Sequence, residues 1–278
     1  MKTRKIGQYA LRTLLIVVIT IFFVYPFWWM IVNSLNTSAQ VFGKPTLLPV
    51  SWRWENYKEI FHIQPFGRHL FNSILVALIG TAGNVLVSAF SGYAFARIRF
   101  PGREVLFILL LTALMMPIEV IIIPLFFQMR DWGFNDSLKP LMLIPIFGAQ
   151  GAFSAFMFRQ FFITLPKELE EAARLDGLSS FGIFRRIMLP IAGPVISATA
   201  ILAFLAAWNT YLEPLVFTSS INNFTLPLSL NNFNDAYGQP QWNLQMAATT
   251  VSILPIILVY LFFQEKVTDA MVNTGLKG

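Results

Sequence analysis

The chain has 278 residues, of which 56% are hydrophobic and 12% charged; that is about half the charged share of an ordinary soluble domain, which excludes water as the main solvent around the fold. A formal net charge of +6 and a pI near 9.7 suggest nucleic acid in a soluble protein, but here the basic residues lie in short stretches between apolar runs, which points to membrane topology instead. Cysteine is absent, which removes disulfides, a thiolate nucleophile and cysteine metal sites.

A helix rising about 1.5 Å per residue needs about 20 apolar residues to cross the hydrocarbon core. Runs of that kind predict an all-α integral membrane protein of six transmembrane helices, at 9–32, 70–96, 104–128, 138–162, 189–217 and 244–263, forming one transmembrane domain over 1–278. The first run follows MKTRK like a signal peptide, but it carries Trp28 and Trp29 and meets no small-residue cleavage site, so a retained helix is expected. Segment 33–69 holds Trp52, Trp54 and Tyr57, which fit either an interfacial aromatic belt or a docking surface for a partner. His62 and His69 lie in the same region with no carboxylate at metal-ligand spacing, so a solvated pair is expected and no metal site.

The second and fourth runs carry polar residues near their middles: Asn84, Gln150 and Ser154. Amides and hydroxyls at that depth can read the hydroxyls of a solute, or can bond helix to helix beside Gly80, Gly83, Gly148 and Gly151. In the third run Glu119 stands between Pro117 and Pro124, and in the fifth Trp208, Asn209 and Glu213 precede Pro214. Proline frees a carbonyl in the preceding turn, so these positions are candidates for a solute path. Glu119 lies about 22 Å and Trp208 about 27 Å from the inner ends of their helices, which also suits an interfacial role.

Fourteen of the 20 Lys and Arg fall on the side of the N-terminus and six on the other, so both termini are expected in the cytoplasm. Between the fourth and fifth runs, LPKELEEAARLDGLSSFGIFRRIMLP (165–190) is too charged to cross lipid. It predicts helix, turn, helix: Pro166 and the three glutamates suit a helix start, Gly177 a left-handed stop, Ser179 or Ser180 a second cap, and Pro190 the close. Leu169, Ala172 and Ala173 share one face, with Glu170 and Arg174 on the polar side. Physics alone leaves two readings, an interfacial helix with solvated charges or a docking element for another protein.

The segment resembles the EAA loop of bacterial ABC importer permeases: Glu171, Ala172, Ala173, Gly177, Ile187, Leu189 and Pro190 occupy every fixed position of that pattern. FNS at 71–73, YAFARIRFPGR at 93–103, AAWNTYLEPL at 206–215 and the closing GLKG are similar to the sugar-importer branch that includes the maltose permeases. The resemblance implies a multi-pass permease subunit of the bacterial inner (plasma) membrane. It forms half of a sugar pathway with a second, homologous permease, and it is served by a periplasmic or extracellular solute-binding protein. It implies that Glu171, Ala172, Ala173, Asp176, Gly177, Ile187, Leu189 and Pro190 couple it to one of two cytoplasmic ATPase subunits, with Lys277 and Gly278 near the same partner.

The chain has no G-x-x-x-x-G-K-[ST] loop; Gly43-Lys44 is followed by Pro45. ATP and Mg are therefore expected in the partners, with no cofactor on this chain, no catalysis by it and no nucleic acid. Sugar phosphates such as glycerol phosphate are carried by close relatives and form the alternative substrate class. An ATP-independent transporter would couple through intramembrane acids, of which only Glu119 and Glu213 are available; a membrane enzyme would need metal or nucleophile motifs that are missing.

Overall fold

The computed structural model describes the backbone of residues 2–235 and 237–275 and the side chains of 11–235 and 237–261. In chain order the helices are α1 (Lys2–Ser34), α2 (Ser38–Val41), α3 (Asn56–Ile63), α4 (Phe66–Arg97), α5 (Arg103–Thr112), α6 (Ile118–Asp131), α7 (Lys139–Phe147) and α8 (Ala149–Thr164). They continue with α9 (Glu168–Leu175), α10 (Ser180–Ile183), α11 (Leu189–Ile191), α12 (Gly193–Asn209), α13 (Leu212–Phe217), α14 (Leu226–Leu230) and α15 (Trp242–Gly275). Among the described residues the only β pairing is an isolated bridge between Asn234 and Pro240.

Four stretches are long and apolar enough to cross a membrane: Leu11–Ser34, Phe66–Arg97, Lys139–Thr164 and Trp242–Leu261. Two further candidates are bent pairs, Arg103–Met115 with Ile118–Asp131 at 105° and Ser180–Ile191 with Gly193–Asn209 at 77°, giving six if each pair is one span. The third apolar run is thus not one straight helix. Pro117 takes an extended backbone (ψ 140°) and starts α6, because its ring forbids helical continuation from the residue before it.

The chain packs as two compact units, residues 1–66 with 229–254 and residues 67–228 with 255–278. In the first, the end of α1 needs partners for its last carbonyls. Asn56, fully buried at the start of α3, supplies them by donating to Ser34 O (2.8 Å) and Asn36 O (2.9 Å), and it accepts from Asn243 on α15 (3.3 Å). Around this polar knot, Trp52 and Trp54 remain exposed.

In the second unit α4 crosses α8 closely. A Cβ on Gly92 would stand 2.4 Å from Phe158 Cβ and 2.9 Å from the backbone nitrogen of Arg159, so only glycine admits this approach. Beside the contact, Tyr93, Phe158, Phe162, Ala173, Ile183, Phe184 and Met188 form a buried cluster that joins the membrane helices to segment 168–188. The turn between α6 and α7 is tied to the end of α13 by Asp136, whose carboxylate accepts from the backbone of Ser219 (2.8 Å) and Ser220 (2.9 Å) and from the Ser220 hydroxyl.

Candidate functional site

Segment 165–190 folds into a rigid bracket. Helix α9 ends in a paired cap: Gly177 N–H donates to Arg174 O and Leu178 N–H to Ala173 O, both at 3.0 Å. Gly177 adopts φ 79°, the left-handed value that a side chain disfavours, and the space around it is open. Ser179 then caps α10, its hydroxyl accepting from Gly182 N–H at 3.2 Å. Pro190 does not close the second helix as expected. Lacking an N–H, it cannot bond Arg186 O. The ladder widens so that Leu189 N–H reaches Phe184 O, and the chain turns only at Ala192.

The motif positions divide into two sets. Ala173 is buried, and Ile187 and Leu189 pack against the same aromatic cluster, whereas Glu171, Ala172, Asp176 and Gly177 are exposed. The expected apolar face of α9 is turned: Glu170 is 8% exposed, while Leu175 is 90% exposed and Leu169 38%. Arg97, at the end of α4, causes this. Its guanidinium donates to Phe162 O from Nε (3.0 Å) and Nη2 (2.6 Å) and to Leu165 O from Nη2, serving the last carbonyls of α8.

Arg97 Nε also lies 3.4 Å from Glu170 Oε1, with both side chains at most 10% exposed. Because the Nε hydrogen is directed at Phe162 O, the Glu170 oxygen gains charge contact without a hydrogen bond. One side chain thus fastens α9 to α4 and α8. Read from the sequence, Arg97 is only one of the positive charges that orient the chain; no local pattern signals a pairing across 73 positions. Asp136 was likewise invisible. Hydrogen bonds from the Ser220 hydroxyl, then from the Ser220 and Ser219 backbone, hold its carboxyl well below the usual carboxylate range.

Of the six solute-path candidates, the structure brings two together. Gln150 and Glu213 line a cavity of about 550 Å³ among α6, α7, α8, α12 and α13, with Gln128, Trp132 and Thr210. Asn84 does not line it: its amide donates to Pro145 O at 2.6 Å, and Ser88 donates to Gly151 O at 3.0 Å, satisfying carbonyls at the break between α7 and α8. Ser154 is fully buried, Asn209 bonds back to Leu205 O (2.8 Å), and Glu119 is exposed in the first turn of α6. His69 is not solvated but fully buried, its Nε2 2.7 Å from Ile221 O, whereas His62 is exposed. Lys277 and Gly278 lie outside the described residues.

A chain whose described residues form helices and this many apolar spans is a multi-pass membrane protein of the permease kind. A family model described as "Binding-protein-dependent transport system inner membrane component" matches residues 84–272. The arabinooligosaccharides transport system permease protein AraQ of Bacillus subtilis is 31% identical, over 96% of this chain and 95% of its own length. The sn-glycerol-3-phosphate transport system permease protein UgpE of Yersinia enterocolitica is 35% identical, over 90% and 91%. A crystal structure of a bacterial ABC transporter involved in the import of the acidic polysaccharide alginate has the same fold, with a TM-score of 0.80 at 23% identity over 94% of this chain and 96% of that one. The chain belongs to the family of binding-protein-dependent transport system inner membrane components: it is a permease subunit of an ABC importer, in a family whose members work with an ATPase and a substrate-binding protein.

Proposed function

We propose that this permease forms half of a sugar pathway with a second, homologous permease, and that α9 and the turn at Gly177 dock on one of two cytoplasmic ATPase subunits. The observation that carries this is an exposed apolar group outside the spans: Leu175 is 90% exposed, at the end of a helix that Arg97 fastens and the Gly177 turn caps. Exposed apolar groups on a rigid short helix are suited to a partner's cleft, and a rigid unit transmits nucleotide-driven closure that a slack loop would absorb. Six spans in a single membrane domain, with both termini inside, put this surface in the cytoplasm. ATP and Mg then belong to the partner.

The substrate reading follows two relatives at 31% and 35% identity, one named for arabinooligosaccharides and one for sn-glycerol 3-phosphate. A sugar is the primary reading and a sugar phosphate the second. The test of coupling is Gly177→Pro and, separately, Ala172→Trp in the reconstituted complex, measuring solute-stimulated ATPase activity beside uptake, with assembly checked by co-purification. Overfilling a packed contact costs about 1–3 kcal/mol, comparable to a coupling free energy of about 1–3 kcal/mol. Coupling is therefore expected to fall about tenfold at normal assembly. Unchanged coupling in both variants would leave α9 an ordinary interfacial helix.

A further inference from the structure

The side chains of the cavity that holds Gln150 and Glu213 carry charge of one sign only. In a mainly apolar lining, its polar side chains are a carboxylate, two amides and a hydroxyl, from Glu213, Gln128, Gln150 and Thr210, with Trp132 as an aromatic wall. Among the described residues no Lys or Arg lines it. The cations near the outer ends of α6 and α7 are already engaged: Arg130 pairs with Asp131 at 3.1 Å and lies over Phe127, and the Lys139 ammonium sits 4.7 Å over the Phe134 ring. The Glu213 carboxylate has acceptor capacity beyond its bond from Thr210, and the amides of Gln128 and Gln150 belong to residues that line the same space.

A hydroxyl both donates and accepts, so a carboxylate and an amide can satisfy it together. A phosphate accepts hydrogen bonds and is bound by Arg, Lys or backbone N–H groups; beside an unneutralised carboxylate it meets like charge in a partly desolvated space. We infer that this cavity passes neutral polyhydroxyl solutes and rejects phosphate-bearing ones, with Glu213 as the residue that sets the discrimination. The inference rests on the reading of the cavity as part of the solute path, and it decides between the two substrate classes left open above. A volume near 550 Å³ falls within the range of small-molecule sites.

The absence of cysteine allows a test that needs no identified solute. Ala206→Cys places a thiol on the cavity wall and Asn231→Cys an exposed control. Each is made in the chain assembled with its native partners in membrane vesicles and reacted with trimethylammonium-ethyl and sulfonatoethyl methanethiosulfonate. One negative charge on the wall of the same cavity changes the energies of the two reagents in opposite directions, so the cation-to-anion rate ratio at Ala206→Cys, divided by that at Asn231→Cys, is expected to be about ten. Glu213→Gln should bring it towards one, and Glu213→Asp should keep it. A normalised ratio near one with Glu213 present, or one that Glu213→Gln leaves at ten, would overturn the charge assignment while leaving the pathway reading in place. Labelling of the control by both reagents with neither reaching Ala206→Cys would overturn the pathway reading, and the inference with it.

Discussion

Replacing Arg97 should loosen the bracket from the membrane helices without touching the exposed surface of α9. Arg97→Met keeps much of the buried stem but removes three N–H···O contacts to Phe162 O and Leu165 O and leaves Glu170 facing a buried site with no cation. Removing one member of a buried ion pair costs about 3–5 kcal/mol, because the remaining charge is stranded. Glu170→Met should cost less, about 1 kcal/mol, since Arg97 keeps both carbonyls and loses a contact that is not a hydrogen bond. In the double variant the stranded carboxylate disappears, so the losses should fall short of additivity by about 1–3 kcal/mol. The assay is thermal unfolding of the purified complex for the four combinations, read beside the ratio of uptake to ATP hydrolysis. An Arg97→Met complex that melts and couples like the native one would refute the fastening role, and strict additivity would refute the pairing with Glu170.

Other consequences can be checked singly. Gly92→Ala puts a Cβ against Phe158 Cβ and the Arg159 backbone, which cannot yield, so it should destabilise the complex by about 1–3 kcal/mol in the same melting assay, accumulating with lower yield. The depressed pKa of Asp136 means that the unfolded chain takes up this proton more readily than the native one, so its contribution is full above the ordinary carboxylate value of about 3.9 and is lost as pH falls below it. Asp136→Ala should lower the melting temperature at pH 7 and narrow the native advantage at acid pH. If both termini are in the cytoplasm, as proposed, Asn231→Cys should be labelled by an impermeant reagent from outside intact cells and Arg99→Cys only after permeabilisation; the reverse pattern would invert the topology.

The apolar runs were legible because crossing lipid demands length, and length survives in the sequence whatever the packing. The breaks were less so: Pro117 and Pro124 were visible, but a 105° bend depends on which neighbours receive the freed backbone. The bracket's caps at Gly177 and Ser179 were legible because they use local geometry alone. Its buried face was not, because periodicity ranks Leu169 above Glu170, and only the arrival of Arg97 from a distant helix makes the carboxylate the inward residue. Asn84 reads equally as a sugar contact or as a helix tie until Pro145 O is seen 2.6 Å away.

The near-complete exposure of Leu175 bears on how a cell must make this protein. On the docking proposed above, Leu175 stands in water until an ATPase covers it, on a helix that Arg97 fastens to the spans, and uncovered apolar surface favours self-association. Surplus copies of the permease would therefore be hazardous rather than idle. Synthesis of the membrane and ATPase subunits is best matched in amount and time, with unpartnered permease marked for removal by the same surface that assembly conceals.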